Sequence, residues 1–520
     1  MNNGVQNMKN AILMSLALGL IAAPAAAQSI TAAIPADIRS SNPGVNRDDY
    51  TDAEVLHTVE GLVGYKEDGS VGPLLAQSFE LSPDGLTYTF KLRSGVTFHN
   101  GEPLTAADVL WSWTRYMDPK TEWRCLPEFD GRNGLKVDAV TTPDPQTVVM
   151  KINHPSAIFL DTLARTDCGM TAVLQKASVK ADGSWDKPIG TGPYKFGNWK
   201  RGEYITLDAF ENYVSPGVDK ADGYVGSKRP LIKEIKFLVV PDPATVKAGL
   251  LSGALDVASV LSTDIPEFSA NANFTVTTGA EASKHTFLMQ TKDPLLSKVE
   301  MRQAIAAALD LPTLVAQATN GTGRPNNSAI FPGSRYYSEI QKEAFAPDPA
   351  KVADLLAKAG YKGEEINIIA NKRPTAPSFD AAVVAQAMLQ AVGINARIEV
   401  LDWSTQLDRY NSGKYQMMSF SYSARLDPAL SFEQFAGPKD KQPRKVWDNP
   451  EALALIAKAM EVSDQAQRQV IFDELHKKLL HDVPLIIYCN GTGETVNSKR
   501  LKGIPVWQAK LRLWELGLEQ

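Results

Sequence analysis

The residues of this 520-residue chain best suited to chemistry are three cysteines and six histidines, and neither set is arranged for catalysis. Cys125, Cys168 and Cys489 contain no CxxC pair, which argues against a zinc site or a dithiol redox centre. His476 and His481 are the one close histidine pair, and a spacing of five residues does not put both on one face of a helix. There is no GxSxG elbow, no HExxH, no GxxxxGK[ST] loop and no GxGxxG fingerprint. The glycine clusters Gly190-Thr191-Gly192-Pro193 and Gly321-Thr322-Gly323 lack the Lys-Ser/Thr that a phosphate loop needs, so they read as turns. Nothing calls for a cofactor or a metal. Two readings of the thiols stay open: a Cys125–Cys168 disulfide, both being in one N-terminal region, or three buried free thiols.

The elements that would position functional groups are legible in several places. Ser82-Pro83-Asp84-Gly85 is a turn leading into Thr87–Leu92, where Tyr88, Phe90 and Leu92 alternate with polar residues as in a half-buried strand. Thr105 and Asp108 frame a capping box ahead of a helix with Val109, Leu110, Trp113 and Met117 on one face. Asp348-Pro349 opens a helix that Gly360 ends, and Asn449-Pro450 opens another. A helix from about Ser378 to Val392, a stop at Gly393 and a strand alternating through Ile394, Ala396, Ile398 and Val400 make an α/β unit. A helix near Val470–Leu480 precedes Pro484 and the apolar strand Leu485–Tyr488. Helices and strands are mixed throughout, which indicates an α/β protein.

Composition bounds the class of function. With 54 basic and 59 acidic residues, a net charge of −5 and no basic cluster, nucleic-acid binding gains no support. Lys9, an apolar run from Ala11 to Ala23 and Ala25-Ala26-Ala27 have the form of a secretory signal over residues 1–27, leaving Gln28 as the first mature residue of a periplasmic protein. The remaining length calls for two or three substantial cores.

Longer motifs carry a resemblance. Pro73-Leu74-Leu75-Ala76 and the stretch LSPDGLTYTFKLRSGVTFHNGEPLTAADVLWSW from Leu81 resemble the signature of the peptide-family (family 5) extracellular solute-binding proteins of ABC importers. IGTGPYKFGNWKRGEYITL from Ile189, VPDPATVKAGLLSGALDV from Val240, MRQAIAAALD from Met301, DPAKVADLLAKAGY from Asp348 and AVGINARIEVLDW from Ala391 continue the likeness in register. The resemblance implies a two-lobed periplasmic-binding-protein fold, type II-like and of the large class, with an extra subdomain. Lobe I would be built from 28–66, 190–283 and 490–520, the subdomain from 67–189 and lobe II from 284–489. It also implies a monomer that takes a small solute, a peptide or opine, and passes it to ABC permease subunits.

The family's dipeptide receptors carry an Arg-Pro pair whose arginine takes the peptide carboxylate, and Arg373-Pro374 stands at the matching place. They also carry an aspartate just before an Asp-Pro that meets the peptide's amino group. Before Asp427-Pro428 this chain has Ser423, Ala424 and Arg425, with no carboxylate among them. An arginine there would repel an ammonium and attract an anion, so the expected solute has two acidic or oxygen-rich ends, as in an opine or a modified peptide. Trp403, Tyr422, Arg425 and Asp427 complete the expected site, although Arg425 and Asp427 could pair with each other and Trp403 could be a core residue. Two rival functions stay open: a periplasmic hydrolase of peptides or glycoconjugates, and a carrier presenting a ligand to a chemoreceptor or holding a metal complex.

Overall fold

Two strands of unusual length, Phe274–Met289 with 16 residues and Leu485–Ser498 with 14, run antiparallel through the middle of the computed structural model of the chain. Strands are usually three to ten residues long, so strands of this length can serve two bodies at once. The structure describes residues 28–45, 49–217, 219–373, 376–508 and 510–519. The expected secretory segment 1–27 and Pro374 lie outside the described residues.

The two long strands are the centre of a ten-stranded sheet. On one side follow Val257–Ser259, Ser29–Ile34, Glu234–Val239, Tyr204–Ala209 and Tyr194–Lys200; on the other, Met417–Tyr422, Ile366–Ala370 and Ala396–Val400. Phe274–Ala280 pairs with Thr492–Ser498 on the first side, whereas Lys284–Met289 pairs with Met417–Tyr422 on the second. The register breaks between Ala280 and Lys284. The long strands are therefore the connection between the lobes of a two-lobed α/β fold, and a register break at the crossing is where such a strand bends most easily.

Separate cores back this division. Ile30, Ile34, Tyr194, Leu207, Phe237 and Trp514 lie in one buried cluster. Phe287, Met301, Leu314, Ile368, Leu389 and Ile486 form another, on one face of the second lobe's sheet, while Leu288, Phe420, Phe432, Phe472 and Ile487 form a third on its other face. A four-stranded antiparallel sheet (Ala76–Leu81, Thr87–Leu92, Thr147–Ile152, Val137–Asp144) carries a further core of Phe90, Phe98, Trp113, Phe129 and Phe159. Each of these large side chains contributes about 1.5–3 kcal/mol by leaving water.

Local signals take the expected forms. Gly85 adopts φ 73° and its N–H donates to the Ser82 carbonyl at 2.8 Å, closing the turn before Thr87–Leu92. The backbone N–H of Thr105 donates to Asp108 Oδ2 at 2.9 Å at the head of helix Ala106–Met117. Helices Pro349–Ala359 and Pro450–Glu461 begin after Asp348 and Asn449 caps, and Gly360 ends the first in the left-handed region. One expectation is corrected. The strand Ala396–Val400 buries Ala396 but leaves Val400 exposed, because it is the edge strand of the sheet. The apolar strand after Pro484 is also far longer than expected, running on to Ser498 as one of the two connections.

Candidate functional site

In the second lobe, Ile366–Ala370 pairs in parallel with both Ala396–Val400 and Met417–Tyr422. The carboxyl ends of all three strands therefore face one way, and in open α/β sheets that end is where ligands bind. Those ends lead to Asn371 and Arg373, to Asp402 and Trp403, and to Ser423, Ala424 and Arg425. Asp402 and Asp427 then cap the helices Trp403–Ser412 and Pro428–Glu433, accepting from Thr405 N–H at 3.0 Å and Ala429 N–H at 2.8 Å. The side chains of interest are thus held between a strand end and a helix start, where the backbone is fixed on both sides.

Arg425 lies in a cavity of about 140 Å³ between the lobes. That volume matches one that accepts a benzene-sized guest, ~150 Å³. Ser423–Leu426 and Leu430 form one wall, Arg124 and Arg165–Asp167 the opposite one, and Tyr65, Tyr224, Trp507, Gln508 and Lys510 the remainder. Four cationic side chains (Arg124, Arg165, Arg425 and Lys510) and one carboxylate, Asp167, line the cavity, with Arg124 also pairing with Asp52 at 3.7 Å and Arg165 with Glu128 at 3.2 Å. The Asp167 carboxylate is already engaged. Arg165 donates from Nε to Asp167 Oδ1 at 3.0 Å and from a terminal nitrogen to Oδ2 at 2.8 Å, and Arg124 reaches Oδ2 at 3.4 Å. Burial would raise the Asp167 carboxyl, but the hydrogen bonds and charge of Arg165, with Arg425 and Arg124, hold it well below the usual range.

Arg425 differs from its neighbours. It donates to Ser423 Oγ at 3.1 Å and to the Ala424 carbonyl at 2.8 Å, and no carboxylate of a described residue lies within 4.0 Å of it. Burial lowers its pKa from the ordinary value, Asp167 offsetting part of the effect. A half-buried guanidinium with spare donors is a fork-shaped receptor for a carboxylate.

Arg373 occupies a second position. Its guanidinium lies 3.6 Å above the Trp403 ring and donates from Nε to Asn371 Oδ1 at 3.2 Å. Trp403 stacks in turn on Phe420, with ring centroids 5.6 Å apart, and Phe420 on Tyr410 at 4.3 Å. Burial and the facing Arg373 charge pull the His285 imidazole down to about 4, so it is neutral where it meets Ser421 Oγ at 2.7 Å. The Arg373 terminal nitrogens have no partner among the described residues.

Tyr422 and Asp427 are placed elsewhere. Tyr422 packs in the core against Phe420 and Phe435 and does not line the cavity. Asp427 does not pair with Arg425. Its partner is Arg468 of helix Gln465–Asp482, at 2.9 Å to Oδ1 and 2.8 Å to Oδ2, and both side chains are buried. Arg468 lies 41 residues downstream, which is why nothing near Asp427 in sequence announces it.

The structure thus brings Arg425 together with Arg124, Arg165, Asp167, Tyr65, Trp507 and Lys510, none of which sequence reasoning selected. One signal was available. Arg124 directly precedes Cys125, and Arg165-Thr166-Asp167 directly precede Cys168, and these cysteines form a disulfide. Cys489 is a buried free thiol.

The model of bacterial extracellular solute-binding proteins, family 5, matches residues 70–443. The oligopeptide-binding protein AppA of Bacillus subtilis is 26% identical over 441 residues, 79% of this chain and 76% of the relative. The glutathione-binding protein GsiB of Pectobacterium atrosepticum is 24% identical over 500 residues, 94% of this chain and 93% of the relative. Among solved structures, AgaA of A. tumefaciens in complex with agropinic acid is 26% identical, with a TM-score of 0.71 over 95% of this chain and 99% of that one. HbpA2 from Haemophilus parasuis shares the fold with a TM-score of 0.82 at 23% identity, over 95% of this chain and 100% of that one.

Proposed function

The chain belongs to the bacterial extracellular solute-binding proteins of family 5, and on that premise we propose that it captures an acidic, peptide-like or opine-type solute between its lobes and delivers it to an ABC permease. Members of this family are transport binding proteins that work outside the cytoplasmic membrane, not enzymes, which removes the hydrolase reading. The observation that carries the choice of solute is that Arg425, in a cavity lined by three further cations and one engaged carboxylate, has no acidic partner among the described residues. An anionic group bound there replaces the missing partner. Relatives whose names record glutathione and agropinic acid support the same chemistry. Arg373, on its Trp403 platform, would take a second acidic or oxygen-rich end, while Asp427 and Tyr422 hold the walls from behind.

Lobe I is assigned to 28–66, 190–283 and 490–520, the subdomain to 67–189 and lobe II to 284–489. The separate cores support this division, although Leu62, Val63 and Tyr65 share the subdomain's cluster. Residues 1–27 are a secretory signal, and the mature protein acts as a monomer with no nucleic-acid partner.

The mechanism is closure. The open form bends at the two long strands, and a solute touching both cavity walls favours the closed form by its differential affinity for the two states. A thermal-shift screen of the chain from Gln28 tests this against dipeptides, glutathione, opines and neutral sugars. A solute at ~100 times its dissociation constant adds about 2.7 kcal/mol of stability. Stabilisation by acidic solutes supports the assignment; stabilisation by neutral sugars alone overturns it.

A further inference from the structure

We infer that the Cys125–Cys168 disulfide is a positioning element of the solute site, clamping the two segments that carry Arg124 and Arg165–Asp167 so that they stand as one fixed wall. The inference rests on the assignment of the interlobe cavity as the solute site. The two cysteines are 43 residues apart in sequence, with Cα atoms 5.6 Å apart. Each directly follows a wall residue: Cys125 follows Arg124, and Cys168 follows Asp167.

What surrounds the crosslink needs it. The chain after Cys168 runs through Gly169, Met170 and Thr171 with φ of 65°, 54° and 46°. Methionine and threonine rarely enter this left-handed region, and they stay there only where the surroundings over-determine the backbone. The N-terminal loop supplies part of that constraint. A Cβ on Gly169 would come within 2.7 Å of Pro43 Cβ, and one on Gly44 within 2.5 Å of the Cys168 carbonyl oxygen. Trp123 Nε1 donates to that same carbonyl at 2.9 Å, and Arg124 N–H donates to the Gly44 carbonyl at 2.9 Å.

Besides the Trp123–Cys168 hydrogen bond, the polar contacts across the clamp are ion pairs. Arg124 meets Asp167 at 3.4 Å and Arg165 meets Glu128 at 3.2 Å. Arg124 and Arg165 share one carboxylate, so their mutual repulsion pushes the two segments apart. The disulfide opposes that separation, and it keeps cationic donors pre-placed for an anion, so ordering them costs less at the moment of binding.

The test compares the bridged chain, the same chain reduced by a phosphine, and a Cys125→Ala/Cys168→Ala variant, each without added solute. In the reduction the phosphine gives two electrons, and water supplies the two thiol protons and the oxygen of the phosphine oxide. Amide hydrogen exchange should rise at least tenfold in 124–126 and 165–169, with the Met417–Tyr422 strand unchanged. Phenylglyoxal should then modify Arg124 and Arg165 faster. Unchanged exchange at these segments, or a uniform rise over the whole chain, overturns the inference. Calorimetry with agropinic acid adds a binding readout: a bridged chain that binds should lose at least tenfold in affinity on reduction, and equal affinity overturns the positioning role. If the bridged chain does not bind agropinic acid, that counts against this solute, and hydrogen exchange alone decides the clamp.

Discussion

Arg165 grips Asp167 with two donors, at 3.0 and 2.8 Å, and so occupies the one carboxylate on the described wall of the interlobe cavity. On the proposed function, Arg425, across the cavity, meets the solute. Replacing it removes a charge-assisted contact worth about 1.5–3 kcal/mol. Arg425→Ala should therefore weaken binding of an acidic solute by roughly one to two orders of magnitude in calorimetry. Arg425→Lys keeps the charge but loses the fork, and should fall between the two.

Closure should take up a proton. Asp161, on helix Phe159–Ala164, is buried, and just before that helix Ala157 N–H donates to the Met460 carbonyl of the opposing lobe at 2.8 Å. Burial, then the charge of Asp427, push its carboxyl well above the ordinary range, against the opposing pull of Arg468 and Arg335. Nearby, the Tyr65 hydroxyl donates to the Asp161 backbone carbonyl at 2.9 Å and the Tyr88 hydroxyl to the Ser156 carbonyl at 3.1 Å. On the proposed closure, opening exposes Asp161 to water and its carboxyl returns to the ordinary value near 4. The contribution to closure is thus complete below that value and is lost as pH rises towards the raised one. Solute affinity should fall as pH rises above that ordinary value, by at most about tenfold per unit. Asp161→Asn should flatten this dependence, and calorimetry in buffers of different ionisation enthalpy reads the proton directly.

Glu60 and Lys228 form an ion pair at 2.9 Å with neither side chain exposed, and Glu60 also accepts from Tyr213 at 2.7 Å and Thr191 at 3.0 Å. Lys228→Met strands a buried carboxylate and should cost about 3–5 kcal/mol in denaturant unfolding. The Glu60→Leu/Lys228→Met double variant should cost clearly less than the two single changes added together.

Cys489 is buried in the long strand Leu485–Ser498, and burial pushes its thiol well above the ordinary value. A thiol titration should find no reactive group in the native chain and one in denaturant. It should find all three after reduction, since Cys125 and Cys168 are bridged.

The sequence made local structure legible wherever the cause was local. Pro83 with Gly85, Thr105 with Asp108 and Asp348 with Pro349 each act within a few residues, and the structure has the turn and helix starts they imply. Arg425 was recognisable as one of three residues, with Ser423 and Ala424, in the stretch where an acidic residue was expected. Asp427 was misleading because its partner, Arg468, comes from a helix a long way down the chain. Tyr65, Trp507 and Lys510 reach the cavity from nearly opposite ends of the chain, and no periodicity or spacing links them. The length of Leu485–Ser498 was hidden because its second half pairs with Phe274–Ala280, a partner that only the tertiary fold supplies.

The most direct test of the account is solution scattering from the chain, freed of carried-over solute by unfolding and refolding, then titrated with an acidic solute that raises its melting temperature. The radius of gyration should fall and saturate with the same dissociation constant, and Arg425→Ala should need roughly ten- to hundredfold more solute to reach the same fall. Stabilisation by that solute with no change in the radius of gyration, or equal response from Arg425→Ala, would contradict it.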